Sequence, residues 1–178
     1  MAKAREIAID PDEPFGAAAR RVVSVRAGEL FDHAENVLDT GDIERVHDMR
    51  VTTRRLRAAL EVFAEAFPKG RLRPVLRDVK RLADALGERR DPDVHIAEFT
   101  QLRAELAEAD HPGVDLLLDS LLEEQARGNE RLAAALEEAR ESDLPGRLAA
   151  LARQELGGEA EPPPEPAPAL APAPEVGT

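Results

Sequence analysis

Apolar residues recur along this chain at intervals of three and four, the period of a helix with one buried face. A first run, carrying Val22, Val23, Leu30, Phe31, Val37 and Leu38, predicts a helix over residues 14–40, entered at Pro14 and closed by Gly41. Asp42 is placed to cap a second helix over 43–67, which Pro68 and Gly70 end. A third is predicted over 72–88. Asp91–Pro92 then reads as a turn and restart, because proline in the first helical turn costs no hydrogen bond. A fourth helix over 93–109, a long fifth over 114–141 and a short sixth, opening at Ser142–Pro145 and ending near Leu156, complete the pattern. About six helices joined by short loops predict an all-α antiparallel bundle.

Composition agrees. Hydrophobic residues make up 43% of the chain but aromatics only 3%, and Ala, Leu, Glu and Arg, all strong helix formers, dominate. Absence of cysteine removes disulfides, thiolate metal sites and cysteine nucleophiles. Residues 1–13 read as a polar, flexible lead-in without the apolar core of a signal peptide. No run approaches about 18 consecutive apolar residues, so no membrane span is expected and a cytoplasmic location is the default. The helical domain is placed at 14–158. Residues 159–178 hold seven prolines and almost nothing to bury, and read as a disordered, Pro-rich tail.

Charge changes the picture. The net charge is −12, yet residues 43–90 hold 13 Lys or Arg against 7 Asp or Glu. Basic charge is thus concentrated in one internal segment of an acidic protein.

At 100° per residue, Met49, Thr53, Leu56, Leu60, Phe63 and Phe67 form one face of the second helix. His47, Arg50, Arg54 and Arg57 form an adjacent stripe, at steps of 3, 4 and 3. Stacked arginines repel by a few tenths of a kcal/mol per pair, and Glu61, next on the stripe, cannot neutralise the set. A repeating anion can. Arginine's planar fork suits phosphate oxygens, and His47 adds a donor whose charge follows pH.

The third helix repeats the arrangement. Beside its apolar positions Leu72, Val75, Leu76, Val79, Leu82, Ala83 and Leu86 lie Arg73, Arg77 and Lys80, with Arg81 one step round. An antiparallel hairpin would turn both basic stripes towards one groove. The competing reading is a merely solvated face, since surface arginines often pair with nearby glutamates for little energy.

The segment VHDMRVTTRRLRAALEVF, with His47, Arg50, Arg54, Arg55, Leu56 and Arg57, resembles the signature of the CHAD domain family, the histidine-containing α-helical domains. A second stretch, LADALGERRDPDV, matches the family pattern at Leu86, Gly87, Arg90, Asp91, Asp93 and Val94. The resemblance covers about residues 15–156. It implies an all-helical fold that binds inorganic polyphosphate through basic residues, and association with polyphosphate granules. Arg50, Arg54, Arg57, Arg77 and Lys80 would then make the direct contacts with His47, and Arg55, Arg73, Arg81 and Arg90 are second-rank candidates. Full-length members resemble two helical bundles about a pseudo-twofold axis. This chain has one such basic helix and resembles the N-terminal half only, so a homodimer or a partner subunit is expected to complete the site.

Other chemistry has less support. His47, His95, Asp91 and Asp93 invite a metal reading, but no HxxxH or HxxE pairing on one helical face is expected, and Asp91 and Asp93 are expected to cap a helix start. Asp91 is also a candidate brace for Arg50 or Arg54. No metal or cofactor is expected. No phosphate loop, nucleophile elbow or HExxH is found, so no enzyme is expected. Nucleic acid is disfavoured by the acidic remainder and the scarcity of aromatics for base stacking. A helical adaptor, engaging partners through the long acidic fifth helix and the tail, is the alternative.

Overall fold

A computed structural model describes residues 2–153, and they form an all-α bundle. Five helices follow in order: α1 (Phe15–Asp32), α2 (Ile43–Val62), α3 (Lys69–Glu105), α4 (His111–Glu141) and α5 (Leu144–Arg153). Short 3-10 turns at Ala64–Ala66 and Glu108–Asp110 sit in the α2–α3 and α3–α4 connections. The expected end of the sixth helix near Leu156 and the Pro-rich tail lie outside the described residues.

Periodicity located the core well. Met49, Thr53, Leu56, Leu60 and Phe67 are buried, with Phe63 packed at the edge. On α3, Leu72, Val75, Val79, Leu82 and Leu86 are buried and Leu76 lies against them. From α5, Leu144, Leu148 and Leu151, spaced four and three apart, close the same core over α1.

The first two helices differ from expectation, α2 ending at Val62 rather than at residue 67. α1 stops at Asp32, well short of Thr40. Asn36 sits in the left-handed region at φ 55°, which asparagine tolerates, and the following loop sends Val37 into the core. Helix α2 is not capped by the Asp42 side chain, whose Oδ2 instead takes Arg45 Nε at 3.0 Å.

The larger correction is at Asp91–Pro92. The expected third and fourth helices are one continuous helix of 37 residues, with Pro74 and Pro92 inside it. Proline at position 92 removes the hydrogen bond to the Glu88 carbonyl, and tertiary packing offsets that loss. Helix α4 comes close at this point through Gly128, where an added Cβ would lie 3.1 Å from the Glu88 oxygen and 3.0 Å from Arg89 Cα.

Residues 2–13, expected as a free lead-in, run along α1 and α2 without regular structure but with many bonds. The Arg5 backbone N–H and the Arg26 guanidinium both donate to Glu29, Arg5 pairs with Asp32, and Arg21 donates to the Ala8 carbonyl. Burial pushes the Glu29 carboxyl up, but the Arg5 backbone N–H and Arg26 outweigh it and hold the group below the usual carboxylate range.

The core has an end. Its members run from Ala19 to Leu86 and resume at Leu132, so the second part of α3 and the first part of α4 project beyond it as a two-helix arm. Arg103 stitches the arm, with Nε 2.5 Å from Asp115 Oδ1 and Nη2 3.3 Å from Oδ2.

Candidate functional site

Helix α2 packs its apolar face inward, and this leaves the next stripe at the bundle surface. His47, Arg50 and Arg57 are half-buried there and Arg54 is exposed. Among the described residues, His47, Arg50 and Arg54 have no hydrogen-bonded or ion-paired side-chain partner.

The α2–α3 hairpin brings a second element to this stripe. Glu61 Oε1 accepts from Arg57 Nε at 3.0 Å and lies 3.4 Å from Lys80 Nζ, so one carboxylate joins the basic stripes of α2 and α3. The Arg57 hydrogen bond, then Lys80, hold Glu61 below the usual carboxylate range. Arg73, on the outer face of α3, is exposed and also has no partner among the described residues.

The remaining candidates are distributed differently from the single groove expected. Arg77 and Arg81 turn towards α4, where they line a cleft of about 320 Å³ with Asp78, Glu138 and Ser142. There Arg77 Nε is 3.2 Å from Asp78 Oδ1 and Arg81 Nη1 is 3.3 Å from Glu138 Oε2. Asp78 also takes Arg147 at 2.6 Å. Burial raises the Asp78 carboxyl, but Arg147 and Arg77 outweigh that and leave it lowered.

Arg55 lies on the opposite flank of α2, donating to the Ala2 carbonyl at 3.1 Å, and faces the N-terminal segment rather than α3. Arg90 is largely covered. It donates to the Ile43 carbonyl at 3.3 Å and approaches Glu44 at 3.7 Å, a geometry that pins the start of α2.

Asp91 and Asp93 do not cap a helix start, because no helix starts there. Asp91 is exposed, and no hydrogen bond or ion pair links it to Arg50 or Arg54. Asp93 is fully buried and pairs with Arg89, one turn earlier. Gln125 donates to Asp93 at 2.7 Å, Arg89 Nε donates to Asn129 at 3.1 Å, and Asn129 Nδ2 donates to the Leu38 carbonyl at 3.0 Å. This network ties α3, α4 and the α1–α2 loop together where the arm leaves the core. No local pattern singles out Arg89, Gln125 or Asn129. The i,i+4 spacing of Arg89 and Asp93 was visible, but not the burial.

Among the described residues no group of three or more His, Asp or Glu is placed to hold a metal ion. One His-x-x-Glu pair does share a helical face, against expectation: His95 pairs with Glu98 at 3.4 Å, both exposed. No helix of the described residues is long and apolar enough to cross a membrane.

The profile of the CHAD domain family matches residues 22–176. The chain belongs to the CHAD family. Its match takes in both motifs, the α2 stripe and the Arg90–Val94 stretch, and four of the five helices from the middle of α1 onward. No curated protein and no solved structure matches this CHAD chain significantly.

Proposed function

We propose that this CHAD chain binds inorganic polyphosphate, without cleaving it, along the groove between α2 and α3. One observation carries the reading: the Arg57–Glu61–Lys80 bridge joins two cationic stripes, flanked by the unpaired Arg50, Arg54 and Arg73. Like charges so stacked repel until an anion of repeating charge lies along them. Membership of a family known for polyphosphate binding supports the same ligand.

Within the groove, Arg50, Arg54, Arg57 and Lys80 make the direct contacts, Arg73 extends the track, and His47 donates a hydrogen bond. Arg77 and Arg81 serve a longer chain that passes over α3 towards α4. Arg55 and Arg90 hold the groove's framework. The carboxylate at the centre, Glu61, is already held by two cations, which fits a binding module better than a phosphoanhydride-splitting centre. A second copy or a partner subunit completes the cationic site, and association with polyphosphate granules follows from the ligand.

Immobilised polyphosphate should retain the protein at moderate salt, and DNA of equal charge should displace it poorly. Replacing Arg50, Arg54 and Arg57 by Ala together should leave helicity intact and remove retention. Unchanged binding with unchanged salt dependence would place the site elsewhere, and efficient displacement by DNA would favour a general phosphate-backbone binder. Light scattering across the same titration should show a doubled mass if a second copy completes the site.

A further inference from the structure

The arm carries more apolar surface than its own two helices cover. In residues 94–124, Leu116 is 72% exposed, Leu117 49%, Leu122 48% and Leu102 41%. On α4 the apolar positions Val114, Leu117, Leu118, Leu121 and Leu122 recur at helical spacing, yet only Val114 is buried. Two helices side by side share one seam, and the flanks of their apolar stripes need a further layer. Elsewhere α1, α2 and α5 supply that layer, but the contiguous core cluster takes no residue from between Leu86 and Leu132, and Val114 is buried apart from it. The arm is nonetheless well built, through Arg103–Asp115 and a 3.2 Å contact between His111 Nε2 and the Leu106 carbonyl.

Charge identifies what fits. Residues 94–124 hold eight carboxylates, from Glu98 to Glu124, against a single arginine, and Arg103 is already paired. A second copy docked arm to arm would oppose these carboxylates to one another. Residues 154–178 of the same chain carry five glutamates and no Lys or Arg, so they are equally ill matched. We propose that the arm is a docking surface for a basic amphipathic helix of another protein, its leucine-type face on Leu102 and Leu117, which share one flank of the α3–α4 seam, and its Lys or Arg residues against the flanking carboxylates.

The probe is a synthetic peptide of about 18 residues with Leu at i, i+3, i+4 and i+7 and Lys elsewhere. A scrambled peptide of identical composition serves as the charge control. Fluorescence anisotropy should show the amphipathic peptide binding about tenfold tighter than the scrambled one. Hydrogen exchange should show its protection confined to residues 94–124. Leu102→Ser with Leu117→Ser should remove that advantage while helicity and polyphosphate retention stay unchanged, which separates this surface from the groove. Equal binding of the two peptides, or protection outside the arm, overturns the proposal. So does self-association of the free protein that the double variant abolishes, because the arm would then be an interface between copies.

Discussion

Arg89 and Asp93 form an ion pair one turn apart on α3 with no exposed side-chain surface on either partner. It is incompletely satisfied, since Arg89 Nη2 and Asp93 Oδ2 are buried without hydrogen-bond partners. Such a pair is costly to break and cheap to replace. Arg89→Met alone should destabilise the protein by about 3–5 kcal/mol, because it strands a buried carboxylate. The double variant Arg89→Met, Asp93→Leu should lose much less. Urea denaturation of the three proteins checks this, and a double variant as unstable as the single one would mean that the network, not the buried charge, sets the cost.

Gly128 gives the second expectation. Alanine is worth about 1 kcal/mol over glycine inside a helix, yet an added Cβ meets Arg89 Cα at 3.0 Å and the Glu88 carbonyl at 3.1 Å. Both obstacles are backbone and cannot swing aside, so sterics should win. Gly128→Ala should lower stability by about 1–3 kcal/mol. A rise in the thermal midpoint would show that α4 does not approach α3 this closely.

Acid should weaken the fold through Glu29 and Asp78. Their ordinary values are 4.5 and 3.8, and in the folded chain both lie lower. A depressed carboxyl contributes stability that is complete above its unfolded value and is lost as pH falls through the folded one. The urea midpoint should therefore decline below about pH 4.5 more steeply in the native chain than in Glu29→Gln, Asp78→Asn. Superimposable acid limbs would remove these two groups from the account.

Glu61 competes with the proposed ligand for Arg57 and Lys80. Glu61→Gln should raise polyphosphate affinity by about two- to fivefold, the scale of an exposed ion pair. It should also steepen the salt dependence, since two further cations become free to displace counterions. Weaker binding in this variant would assign Glu61 a role in shaping the groove.

The α2 stripe and its buried neighbour were legible because both follow directly from a helix period, and the α3 apolar face followed in the same way. Asp91–Pro92 misled because a proline's local preference says nothing of what packs around it, and here Gly128 and the Arg89 network carry α3 through. Arg77 and Lys80 illustrate a second limit. Three residues apart on a helix, they look like one stripe, but α2 takes Lys80 and the α4 side takes Arg77. Arg55 and Arg90 sit within the signature motifs, yet their side chains meet the Ala2 and Ile43 carbonyls, contacts between elements that no local pattern encodes.

At about 1.5 Å per residue, the 37 residues of α3 span roughly 55 Å. Its first part lies in the basic segment and its last part in the acidic arm, so one rigid rod separates opposite charges. The molecule is therefore electrically polar along that axis. A long anion should orient it before contact, drawing the basic end inward. Copies arrayed on one strand would then point their arms outward, away from the polymer, like bristles on a thread.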